Sequence, residues 1–230
     1  MKWFWAILLA TLALLAAPVL FVGRGEPPRQ ATAIGMPWEI TLPGPGQSKV
    51  LGLVLGDGPA TPASSLAEAR RNFGMAPDIA IVAPTPDQLS LEAFFDGVQI
   101  GALSARIVLT LEASAEALAA MRDRAAKTDH MSTGIRRFRL AEADLQAAEG
   151  LPIRGIVLIP SGSLDADVVL QRFGPPGQRI RQGDTLEHFL YPAQGLDVVV
   201  DAKGKEVLQY VAPARFSRLM APLGEAGGER

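Results

Sequence analysis

The 230-residue chain contains no cysteine, and that one absence removes several kinds of chemistry. Disulfides, thiolate metal sites, cysteine nucleophiles and lipid attachment to an N-terminal cysteine are all excluded. Histidine is nearly as scarce. His130 and His188 are the only imidazoles, too few to suggest a metal centre, so neither a metal nor a cofactor is expected. An excess of one charge sign is also missing. Lysine and arginine number 22 against 24 acids, a net charge of −2 with no basic stripe, which argues against a nucleic-acid surface. The locally basic stretch 122–139 is interrupted by acids and reads as a solvated face.

What is present begins at the N-terminus. Residues 3–22 (WFWAILLATLALLAAPVLFV) carry no charge. At about 1.5 Å per residue such a helix covers about 30 Å, the hydrocarbon thickness of a bilayer. Trp3 and Trp5 sit at one end, where amphipathic rings favour the interface. The expectation is an uncleaved single-pass anchor in a bacterial inner membrane, with the remaining chain in the periplasm. The alternative is a secretory signal cleaved near Leu15-Ala16-Ala17, which would leave a secreted protein. Residues 23–47, rich in Gly, Pro and polar side chains, read as a linker and extended segment.

Two later stretches share one pattern. Leu66, Ala69 and Phe73 mark one face of a short helix with Ser65 as N-cap, stopped by Gly74 and Pro77. Ala166, Val169, Leu170 and Phe173 repeat the spacing behind Asp165, stopped by Gly174, Pro175 and Pro176. The echo continues downstream. Residues 89–95 (LSLEAFF) parallel 185–191 (TLEHFLY), with Leu-Glu-x-Phe shared, and 97–100 and 106–111 parallel 195–200 and 206–211 as further β-like runs. The expected architecture is therefore α+β: two related units, each a helix plus an antiparallel sheet of three strands, in tandem behind an N-terminal transmembrane helix. The units span 48–111 and 151–213. Connecting helices occupy 112–150, with a loop at 128–134 and an extended segment at 135–140, and a frayed tail occupies 214–230.

A helix closing on Phe-Gly with a following proline (Phe73, Gly74, Pro77; Phe173, Gly174, Pro176), then a strand ending Phe189-Leu190-Tyr191, resembles the small outer-membrane assembly lipoproteins of the SmpA/OmlA (BamE) type. Two such units in tandem resemble β-lactamase-inhibitor proteins, and the whole layout resembles membrane-anchored proteobacterial proteins. The resemblance implies helices on one face of an antiparallel sheet. It also implies a non-catalytic role in the envelope, binding another envelope protein. This chain has no lipobox cysteine, so an apolar anchor stands in place of lipidation.

Catalytic constellations are sparse. Ser161-Gly162-Ser163 lacks the frame of a nucleophile elbow, and residues 44–49 (GPGQSK) lack the spacing of a phosphate loop. Asp165 and Asp167 sit in a helix first turn, where acids offset the dipole, and His130 falls in the expected loop beside Asp129. No residue is assigned to catalysis. His188 is the one imidazole on which an alternative, a membrane-anchored hydrolase or transferase, would rest. Alternation places it with Leu186 and Leu190, and Glu187, Phe189 and Tyr191 on the other face. By the same alignment Phe94 joins Phe189 and Tyr191 as a candidate interaction surface, if that face is open. A third alternative, an inhibitor or small-ligand-binding protein, predicts an apolar concavity between the units.

Overall fold

The computed structural model describes residues 34–85, 87–131 and 134–226. The anchor expected at 3–22 lies outside them. Among the described residues no helix is long and apolar enough to cross a membrane.

The chain opens with a hairpin, β1 (Ser48–Val50) and β2 (Leu53–Leu55). Leu51 and Gly52 both have positive φ, the pairing that a tight two-residue hairpin turn demands. Helix α1 (Leu66–Phe73) follows. Its N-cap Ser65 and Glu68 three residues on form a reciprocal capping box, which occupies two otherwise orphaned amides. Then come β3 (Asp78–Thr85), β4 (Gln88–Ile100) and β5 (Leu103–Leu111). Helix α2 (Ala115–Asp123), β6 (Lys127–His130), β7 (Arg136–Arg139) and α3 (Glu142–Ala148) lead to β8 (Ile153–Pro160). The second half adds α4 (Ala166–Phe173), β9 (Gln178–Gln182), β10 (Leu186–Tyr191), β11 (Leu196–Asp201), β12 (Val207–Val211) and α5 (Ser217–Ala226).

The expectation of two tandem helix-plus-sheet units is overturned. All strands from β3 to β12 join one ten-stranded antiparallel sheet in the order β6-β7-β3-β4-β5-β8-β12-β11-β10-β9. The reason lies in β8. Its run IRGIVLIP is buried almost throughout, as befits a central strand, and it pairs with β5 on one side and β12 on the other. The last strand of either half would otherwise end in a row of unpaired N–H and C=O groups, and the shared strand satisfies both rows. The outer edges are β6 (KTDH) and β9 (QRIRQ), short and charged, which discourages further strand addition.

The correspondence between the halves also shifts. Flanking β8, the order β5, β4, β3 matches β12, β11, β10, so the positional partner of β10 is β3 and not β4. The expected first two strands of the first half are one long strand, β4, with a bulge between Phe95 and Val98. The Leu-Glu-x-Phe echo thus falls on strands that are not equivalent. The expected loop at 128–134 contains β6, and the expected frayed tail contains α5.

One sheet face carries the main core. Phe95, Ile107, Leu109, Leu158, Val198, Phe189, Leu208 and Tyr210 cluster there beneath α1, α2, α4 and the hairpin. Phe73 anchors α1 by standing edge-on to Phe95 at 5.0 Å. Phe173 anchors α4 between Trp38 and Tyr191, with ring centroids at 6.5 and 5.9 Å. The two glycine stops differ in conformation. Gly74 is left-handed (φ 65, ψ 20), whereas Gly174 (φ 78, ψ −171) lies where essentially only glycine goes. Gly74→Asn is therefore expected to stay within about 1 kcal/mol of wild type. Gly174→Asn should lose roughly 1–3 kcal/mol. Urea midpoints of the two variants check the contrast, and equal losses would remove it.

The opposite face holds a smaller cluster, Val108, Val157, Ile159, Val199 and Val207 with Phe94 and Leu186. Near its β9–β10 side, Phe216 just before α5 and Leu219 and Leu223 of α5 pack on Leu190.

Candidate functional site

The four central strands end together. Gln88, Ser90 and Leu91 of β4, Thr110 and Leu111 of β5, Arg154–Val157 of β8 and Gln209–Val211 of β12 surround a concavity of about 270 Å³. Leu118 of α2, Arg215 in the turn before α5, and Arg218 and Leu219 in the first turn of α5 complete its wall. Local sequence explains the lid. Pro213 starts a single 3-10 turn (Pro213–Arg215), and Phe216, Leu219 and Leu223 then recur at helical spacing, which turns α5 back onto the sheet.

The wall is apolar with a few charged side chains. Arg154 pairs with Glu112, and Arg218 is exposed. Arg215 is 9% exposed, and its Nη2 pairs with Asp57. Its Nε and Nη1 have no hydrogen-bond partner among the described residues, and neither has Nε2 of Gln209, a residue only 2% exposed. Buried donors of this kind are uncommon, since each forfeits the hydration it had in the unfolded chain. Tyr210 behaves differently. Its hydroxyl donates to the Pro37 carbonyl at 3.0 Å, and burial pushes its pKa well above the ordinary phenol range.

Glu92 lies just behind the wall, between Ser90 on its own strand and Thr110 opposite on β5. Burial raises its pKa from the ordinary 4.5 to about 7, against the opposing pull of the Ser90 hydroxyl and the Arg137 guanidinium. It is the most displaced carboxyl near the cavity, and the sequence reading did not single it out.

His188 is elsewhere. It is 1% exposed on the face opposite the main core, with Nδ1 2.8 Å from Asp197 Oδ2 and Nε2 3.4 Å from Gln182 Oε1. Burial pushes the Asp197 carboxyl upward, partly offset by His188. A carboxylate orienting an imidazole supplies two of the three members of a catalytic triad, but here both groups are sealed in the sheet and do not line the concavity.

The expected aromatic surface is not one surface. Phe189 and Tyr191 sit in the main core, 0% and 6% exposed, with Tyr191 donating to the Gly174 carbonyl at 2.9 Å and Arg179 over the Phe189 ring. Phe94 points to the opposite face, where it packs with Val108 and its neighbours. Alternation within each strand is as expected; the two strands simply stand in opposite phase. Of the other residues considered, Asp165 caps α4 through the Val168 amide, and His130 is exposed on the edge strand β6. Gln47 closes a turn onto the Gly44 carbonyl. Among the described residues no group of acids and histidines is placed to hold a metal.

Arg215 and Gln209 escaped the sequence reading because each belongs to a run with another explanation, a tail and a strand. The available signal was the helical spacing of Phe216, Leu219 and Leu223, which places Arg215 at a helix start. Compared with protein-family profiles, curated proteins and solved structures, the chain matches none.

Proposed function

We propose that this chain is a binding protein of the bacterial envelope, whose small amphipathic ligand occupies the concavity between the two halves of the sheet. The placement in the envelope rests on the uncharged run 3–22. The binding role rests on one observation. Strands from both halves converge on a space of about 270 Å³ with apolar walls and a few polar groups. Sites for small ligands have this make-up, and the size lies just below their usual range of about 300–1,000 Å³.

This reading is favoured over protein docking through Phe94, Phe189 and Tyr191 because two of those three rings are interior. It is favoured over catalysis at His188 because that ring is out of reach of the space a substrate would enter.

The test uses a neutral probe. The full chain, held in lipid nanodiscs with empty nanodiscs as blank, is titrated with 1-hexanol by calorimetry. Saturable binding is expected. Ala113→Phe, which places a ring against the cavity wall, should weaken it about tenfold or more at a cost of about 1–3 kcal/mol in stability. Hexanol binding that Ala113→Phe leaves untouched would show that the probe binds elsewhere, and would sink the reading.

A further inference from the structure

The polar part of the cavity wall is not neutral. Arg154, Arg215 and Arg218 face a single glutamate, Glu112, so the lining carries a net charge of +2. Counting Asp57, which binds Arg215 from outside the lining, still leaves +1. Glu92, the next acid, holds its proton up to about pH 7. Of the buried lining atoms without a partner, Nε and Nη1 of Arg215 and Nε2 of Gln209 only donate, whereas the Ser90 hydroxyl can donate or accept; the Asp57 pair uses one of the guanidinium nitrogens. A buried guanidinium with one carboxylate partner is under-compensated, and a second anion would satisfy its remaining donors in a geometry guanidinium is suited to.

Resting on the cavity reading above, we propose that the ligand is an anion of one kind: a free monocarboxylate with a short acyl tail. Its carboxylate lies toward Arg215 and Gln209, and its tail runs along Val157, Val211 and Leu219, on the face of the sheet to which Gln209 points. The volume sets the tail length. At about 270 Å³ the space lies below the usual range of ligand pockets, which suits a short chain and not a diacyl lipid.

The full chain in nanodiscs is titrated at pH 6 with hexanoate, 1-hexanol and hexylammonium. Hexanoate should bind tightest and hexylammonium weakest, and added NaCl should weaken hexanoate while leaving hexanol unchanged. Arg215→Met should weaken hexanoate roughly ten- to hundredfold and change hexanol little. Should Arg215→Met fail to fold, Arg218→Gln at the exposed wall, together with the salt series, carries the same test with a smaller loss. Hexanol binding as tightly as hexanoate would overturn the carboxylate assignment and leave the cavity reading standing. Binding of neither would overturn both.

Discussion

Glu92→Gln is expected to stabilise the protein above pH 7, by about 3 kcal/mol at pH 8, while changing little below pH 4.5. The unfolded chain releases the Glu92 proton near 4.5, and the folded chain keeps it until about 7. Between those values the native state binds one proton more than the unfolded state, so unfolding free energy falls as pH rises, by about 1.4 kcal/mol per unit. The favourable contribution is complete below 4.5 and is lost as pH passes 7. Above 7 the native state must hold a carboxylate in a site that is only 6% exposed, with Arg137 and Ser90 as partial compensation. Glutamine keeps the shape and the hydrogen-bonding capacity and removes the charge. Urea unfolding of both proteins at pH 5, 6, 7 and 8 reads the difference. A gap that stays constant across that range would mean that Glu92 titrates normally, and that its burial in β4 is not what the packing implies.

Phe95→Ala and Phe189→Ala, one in each half, are each expected to lose about 3–5 kcal/mol and to lower one common unfolding transition. Both rings are fully buried in a single cluster that runs from β3 to β12. Truncation removes their transfer free energy and leaves a cavity that close-packed neighbours fill only partly. The shared transition is the more informative half of the expectation. Two tandem units, each with its own sheet, would melt separately, and each substitution would shift only its own step. A sheet whose halves meet on β8 has no such boundary, because separating them breaks two strand pairings and divides one core. Calorimetry of the full chain distinguishes the cases. A biphasic melt in which Phe189→Ala moves only one component would refute the continuous sheet.

Several local elements were legible. Ser65 as N-cap, the apolar positions 66, 69 and 73, and Gly74 place α1 to the residue, and Asp165 with Gly174 does the same for α4. These features involve neighbours within one or two turns, so the chain's own spacing determines them. The strand alternation at 186–191 was equally readable, and with it the separation of His188 and Leu190 from Phe189 and Tyr191. Strand pairing was not readable. Ile79–Ala83 and 89–95 are both apolar-rich β-like runs, and nothing local states that the first pairs with the second or that 88–100 is one strand with a bulge. A one-residue change of phase reverses which side chains face the core, which is how Phe94 and Phe189 come to lie on opposite faces despite a shared four-residue pattern.

The cavity was the least legible feature because its residues come from 88–91, 110–118, 154–157 and 209–219, segments that meet only when the sheet is assembled. By itself the sequence determined that cysteine chemistry is excluded, the two capped helices and their glycine stops, and the period of the strands. All of these follow from residue identity and short-range geometry. Only the tertiary structure decided that β8 joins two halves into one sheet, that His188 is sealed and that Arg215 stands at a concavity with donors unspent. Those outcomes depend on which distant edges satisfy one another's hydrogen bonds, a choice that no local stretch of chain contains.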